Sequence, residues 1–239
     1  MIPIRDHLRA KSFPFVTVAF VVANGYVFAR QLLLAQPEAS SFTMEYAFIA
    51  ERFLETPVHL WYTPLTSLFF HGGFVHFVGN MLFLAVFGDN VEDALGHVRY
   101  FLFYLIAGLV SLAAQTVVSP DLSIPVIGAS GSISAVLGAY LILFPLARVT
   151  TIIPIGIFLM TARLPAVVFL FIWAAVQFFS GYLSVVAGPM DNTAYLAHVG
   201  GFVFGVVVAL AGRRRYLAPF KRRGIYGREG SPSRSRREV

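Results

Sequence analysis

The sequence predicts an all-α polytopic membrane protein of six spans, on the strength of three observations. Of its 239 residues, 57% are apolar and only 13% charged, against about 25% charged in soluble domains. Long uncharged runs recur, several of them long enough for the roughly 20 residues that a helix needs to cross the hydrocarbon of a bilayer. Ten of the eighteen basic residues lie between Arg213 and Arg237, after the last apolar run, the imbalance expected of a cytoplasmic tail.

The runs place the elements in order. Ser12 to Ala29 is the first span. Arg5, Arg9 and Lys11 precede it, and without a small-residue cleavage site it reads as a retained span rather than a leader. A mixed segment follows from Gln36 to Glu55. Thr56 to Gly88 is uncharged, but Pro57, Pro64 and Gly72-Gly73 break its first half, which predicts a partly buried loop and then a helix from about Phe74 to Phe87. Tyr100 to Pro120 is the third span and Ala129 to Leu146 the fourth. Leu164 to Pro189 holds the fifth, and Thr193 to Gly212 the sixth. Val149 to Ala162 is uncharged but short, with Pro154 and Gly156 inside, and predicts an interfacial or re-entrant loop.

Six spans put both termini on one side, and charge says which. With the N-terminus cytoplasmic, sixteen basic residues fall inside and only Arg30 and Arg52 outside. The expected organisation is a cytoplasmic segment over 1–11, a membrane domain over 12–212 and a basic, disordered cytoplasmic tail over 213–239. The same tail argues for a topology signal or contact with anionic lipid rather than for nucleic acid. The absence of cysteine excludes thiol catalysis, disulfides and zinc knuckles. No metal or other cofactor is expected, since the spacing of His71 and His76 suits a helical metal site poorly.

Polar groups inside spans are costly and point to function. Four stand out: His76, Asn80, Ser130 in Gly128-Ala129-Ser130-Gly131, and His198. His76 and Asn80 are four apart, on one face of a helix. The second, fourth and sixth spans all run inward, so all four groups share the outer half of the bilayer. A serine hydroxyl becomes a nucleophile when a neutral imidazole takes its proton. The oxyanion it generates needs donors, which Asn80, His76 and the Ser130 backbone N–H at a helix start can supply. Ala197, Gly201 and Gly205 repeat every four residues, and Gly131, Ser134 and Gly138 form a second small-residue face. If these faces meet, Ser130 and His198 come together. Each signal has an ordinary counterpart, such as serine and glycine as packing residues or histidine as an interhelical hydrogen-bonding group. Ser132 and Ser134 compete with Ser130. Asp191 reads as a solvated loop residue rather than a third catalytic member, and Glu92, Asp93 and His97 read as interfacial or capping groups.

The combination of Gly128-Ala129-Ser130-Gly131, Ala197-His198 with Gly201 and Gly205, and His76-x-x-x-Asn80 resembles the signature of rhomboid intramembrane serine proteases. The stretch from His71 to Asp93 resembles prokaryotic members, and the likeness runs from about Thr56 to Gly212. It implies a six-helix bundle in which the fourth helix starts midway in the membrane beneath a water-filled cavity. It also implies a Ser130–His198 dyad, with His76 and Asn80 at the oxyanion. Substrates would be single-pass membrane proteins with unstable helices, cut at small residues, from a multi-pass enzyme of the cell membrane whose site faces the extracytoplasmic side. The alternative is an inert rhomboid-like protein that escorts membrane clients. Two positions depart from the family pattern. Trp61 is followed by Tyr62 where some members have Trp-Arg, and Ser134 stands where an aromatic often stacks on the histidine. Support for His198 is therefore expected from Tyr195 or Phe202.

Overall fold

The computed structural model describes residues 1–119, 121–156, 158–188 and 193–222. A short strand, β1 (Ile2–Asp6), precedes the first long helix, α1 (Phe15–Leu33). The start of α1 is fastened by carboxylates from a distant part of the chain. Glu92, fully buried, accepts the N–H groups of Val16 and Thr17 at 2.9 and 2.8 Å and the Thr17 hydroxyl at 2.7 Å. Asp93 accepts the Ser12 hydroxyl at 2.6 Å. These N–H groups have no intrahelical acceptors, and the positive end of the helix dipole favours negative charge there.

The connection after α1 runs through the mixed segment and then through the broken, partly buried stretch after Thr56 that the prolines and glycines predict. It holds α2 (Glu38–Tyr46), α3 (Ala50–Glu55), α4 (Thr63–Thr66) and a 3-10 turn over Ser67–Phe69. Gln31 of α1 ties its end in place, accepting from the His71 N–H at 3.1 Å and donating to the His71 carbonyl at 3.0 Å. The bundle continues with α5 (Phe74–Leu95), α6 (His97–Val118) and α7 (Ser130–Leu143). Helix α5 runs past Phe87 through Glu92 and Asp93 because those two carboxylates are met by the segment leading into α1 and by α1 itself, while Asp89 accepts from Asn90 beside it on α5.

Between α7 and the next helix lies a feature that the sequence reading lacked. Val149 to Ala162 forms most of a hairpin, β2 (Arg148–Ile155) and β3 (Phe158–Pro165), and β1 pairs antiparallel with β2 to complete a sheet of order β1-β2-β3. The register runs Arg148↔Pro165 to Ile155↔Phe158. A β-branched run, Val149-Thr150-Thr151-Ile152-Ile153, favours extended backbone, and Gly156 turns the chain. Asp6 fixes the sheet to the bundle by accepting from Tyr140 Oη at 2.6 Å and Asn90 Nδ2 at 2.8 Å.

The chain closes with α8 (Ala166–Val186) and α9 (Tyr195–Arg222). Helix α9 continues past Gly212 because Leu217 and Phe220 are buried, the latter ring 5.0 Å from that of Phe144. Residues 223–239, with the rest of the basic tail, and Asp191 lie outside the described residues.

Among the described residues, five helices are long and apolar enough to cross a membrane: α1, α5, α6, α8 and the Tyr195–Leu217 part of α9. Helix α7 differs. Its 14 residues reach about 21 Å, short of the roughly 30 Å hydrocarbon core. It is also the most enclosed element, with every residue from Gly131 to Tyr140 buried. This is a mostly helical bundle of a multi-pass membrane protein, with its sheet at the end opposite the starts of α5, α7 and α9.

Candidate active site

Two helices meet at backbone distance. A Cβ on Gly201 would fall on the Gly131 carbonyl, one on Gly205 on the Ala135 carbonyl, and one on Gly138 on the Phe202 carbonyl. The small-residue faces of α7 and α9 therefore pack directly against each other. Gly131 also accommodates Ser111 of α6, 2.5 Å from where its own Cβ would stand. Gln115 of α6 adds a cap, its side-chain oxygen accepting the Ala197 N–H at 3.1 Å in the first turn of α9.

This seam brings Ser130, the first residue of α7, to His198, in the first turn of α9. Ser130 Oγ lies 2.7 Å from His198 Nε2. On the other side of the ring, Gln177 Oε1 of α8 lies 2.8 Å from His198 Nδ1. An amide oxygen only accepts, so the second contact is a hydrogen bond when the ring proton is on Nδ1, which leaves Nε2 to accept the Ser130 hydroxyl. Trp173, one turn before Gln177, has its ring centroid 6.4 Å from that of His198, and Tyr195 flanks the imidazole edge-on at 6.3 Å.

The competing serines face elsewhere. Ser134 donates to the Ser130 carbonyl at 2.6 Å, and Ser132 is buried toward Gly108 of α6. Of the three, Ser130 is the one whose hydroxyl meets an imidazole.

His76 and Asn80 reach the same place from α5. Gly128 has φ +122°, a conformation open to glycine, and its missing side chain leaves space for both. An added Cβ would stand 2.9 Å from His76 Nε2 and 3.6 Å from Asn80 Nδ2. His76 Nδ1 accepts the Gly72 N–H at 3.3 Å, which assigns the ring proton to Nε2, the nitrogen beside Gly128. Asn80 Nδ2 is buried without a hydrogen-bond partner among the described residues. Such a donor is costly unless something arrives to accept from it. The N–H groups of Ser130 and Gly131, at the start of α7, likewise lack intrahelical acceptors. All of these groups line one cavity of about 890 Å³, together with Gly72, Gly73, Thr193 and Ala194.

Residues 59–215 match the family model described as Rhomboid domain. The chain belongs to the rhomboid family. It is 29% identical over 180 residues to Rhomboid protein 1, mitochondrial, of Saccharomyces cerevisiae, which covers 72% of this chain and 46% of that protein. It is 32% identical over 81 residues to YdcA of Bacillus subtilis, provisionally named a rhomboid protease, covering 34% of this chain and 40% of that one. Rhomboid-like protein 11, chloroplastic, of Arabidopsis thaliana is 24% identical over 153 residues, 62% of this chain and 51% of its own length. This chain thus spans about half the length, or less, of the curated relatives it matches.

Gln177, Trp173 and Gln115 escaped the sequence reading of this rhomboid. Gln177 had a signal: among the 21 residues of α8, otherwise apolar apart from two serines and a tyrosine, it is the one carboxamide. Of the two residues expected to support His198, Tyr195 touches the ring. Phe202 acts at one remove, packing on Trp173 with centroids 5.8 Å apart.

Proposed function

We propose that this rhomboid is an intramembrane serine endopeptidase that hydrolyses peptide bonds in or near the transmembrane helices of other membrane proteins. The observation that carries the proposal is the 2.7 Å contact between Ser130 Oγ and His198 Nε2 at the start of a helix too short to cross the bilayer. The short helix would hold the nucleophile at the depth of a substrate's own helix, and the cavity above it would admit water.

Chemistry follows from the positions of the groups. Ser130 Oγ attacks the scissile carbonyl carbon while His198 Nε2 takes its proton. The carbonyl oxygen becomes an oxyanion, for which His76 Nε2–H, Asn80 Nδ2–H and the Ser130 backbone N–H are the donors. Collapse breaks the C–N bond, and the imidazolium returns its proton to the leaving amine. Water, deprotonated by His198, then attacks the acyl-enzyme, and Ser130 regains its proton as the acid product departs. Each donor is neutral and already in place, so oxyanion formation requires little rearrangement in a low-dielectric site.

Substrates fitting this cavity are single-pass membrane proteins whose helices unwind easily and present small residues at the cut, since an extended backbone must reach Ser130. Lipid surrounds the bundle. The charge distribution supports cytoplasmic termini, residues 12–212 as the membrane domain, and a cavity that opens on the extracytoplasmic side of the cell membrane. The test is cleavage of a single-span substrate by purified protein in lipid. Wild type is expected to cut it, and Ser130→Ala and His198→Ala to fall by at least about 10³-fold. Folded wild-type protein that cuts no such substrate, or undiminished cutting by Ser130→Ala, would overturn the assignment.

A further inference from the structure

We infer that Gln177 is a positioning residue for the proposed reaction, holding His198 in the one tautomer that can act as base. The inference rests on the assignment of Ser130 and His198 above. It is carried by a separate contact, the 2.8 Å approach of Gln177 Oε1 to His198 Nδ1.

A neutral imidazole carries one N–H, and either nitrogen can hold it. With the proton on Nε2, the ring points a donor at Ser130 Oγ and cannot take the serine proton. Gln177 Oε1 offers only lone pairs, so its hydrogen bond exists only in the tautomer with the proton on Nδ1. That tautomer leaves the Nε2 lone pair aimed at Ser130 Oγ, 2.7 Å away. Losing the bond would also leave a half-buried amide oxygen unpaired, which adds to the bias.

The choice of an amide has consequences. A carboxylate in the same place would stabilise the imidazolium and raise the histidine pKa, and at membrane depth it would be costly whenever unpaired. Gln177 fixes the tautomer and the ring plane without adding charge. The group also comes from a third helix. Ser130 and His198 belong to α7 and α9, which meet backbone to backbone, whereas α8 reaches His198 through side chains. Trp173 and Gln177, one turn apart on α8, both face the imidazole. The base is therefore correctly set only while α8 is docked.

The test uses full-length protein in lipid and the rate of fluorophosphonate labelling as a function of pH. Gln177→Met keeps the volume but replaces the amide oxygen with a thioether that accepts only weakly, and is expected to slow labelling by about 10- to 10²-fold with an unchanged melting temperature. For a cleaved peptide, that loss should fall on kcat rather than KM. Gln177→Glu restores an acceptor. It should recover most of the rate at high pH and move the acid limb of the profile upward by about one pH unit or more. A purely structural role would lower rate and stability together and leave the limb in place. An independent readout is the ¹⁵N spectrum of His198 in wild type, expected to show protonated Nδ1 and bare Nε2. Protonated Nε2 there, or Gln177→Met labelling at the wild-type rate with an unmoved pH limb, would overturn the role of Gln177 alone. If labelling in wild type does not depend on Ser130, the inference falls together with the protease assignment.

Discussion

The α7–α9 seam and the α8 face hold the same histidine by different means. Along the seam, Gly201, Gly205 and Gly138 bring one backbone against the other with no room for a methyl group. At the α8 face the contacts are side chains, Trp173 near the imidazole and Gln177 on Nδ1, and a Cβ added at Gly181 would stand at an ordinary 3.4 Å from Leu196 Cδ2. Backbone contact fixes the Ser130–His198 distance with little tolerance, because a packed core cannot absorb an added atom without shifting. Side-chain contact sets orientation and can adjust. The catalytic pair therefore depends on a rigid element for distance and on a more adaptable one for direction.

Gly201→Ala is the strongest way to break this comparison. The new methyl meets the carbonyl of Gly131, the residue after Ser130, and should cost about 1–3 kcal/mol of stability. A shift of order 1 Å at the nucleophile should slow labelling by about 10²-fold. Unfolding in detergent micelles and the labelling rate check both, and a variant equal to wild type in each would show that the seam is not tight.

A second way reaches the far end of the seam, where Tyr140 of α7 donates to Asp6 of the sheet. Burial pushes the Asp6 carboxyl up to about 7, against the opposing effect of the Tyr140 hydrogen bond. The folded state thus binds the proton more tightly than the unfolded state. This contribution to stability is complete below the ordinary carboxyl value of 3.8 and is lost as pH rises through about 7. Wild type should lose melting temperature between pH 5 and pH 8 by on the order of 2 °C more than Asp6→Asn, whose amide oxygen can accept the same two bonds. Parallel curves for the two proteins would contradict the coupling.

The smallest expected effect sharpens the contrast. Gly181→Ala on α8 adds a methyl at van der Waals distance from Leu196 and Tyr195, and should change stability by less than about 0.5 kcal/mol. A loss as large as that of Gly201→Ala would mean that α8 is held as tightly as the seam.

Much of this arrangement was legible in the sequence, because intramembrane polar groups and small-residue spacing are strong signals. Span direction predicted that His76, Asn80, Ser130 and His198 share one depth, and the glycine faces predicted which helices touch. Helix limits were harder. Asp89, Glu92 and Asp93 suggested a connection after Phe87, yet α5 continues to Leu95 because the start of α1, and the segment before it, need acceptors that no local pattern announces. The sheet was missed because its hairpin tip, Phe158-Leu159-Met160, is apolar and exposed on both faces and shows no alternation. Gln177 was overlooked because its partner lies 21 residues away on another helix. The carboxamide was visible, but not what it faced.

The central claim is that Ser130, activated by His198, is the nucleophile. Its most direct test is to locate a fluorophosphonate adduct on the purified protein by mass spectrometry. The adduct is expected on Ser130, and its yield should collapse in His198→Ala. An adduct on Ser132 or Ser134, or an adduct on Ser130 that forms equally well without His198, would contradict it.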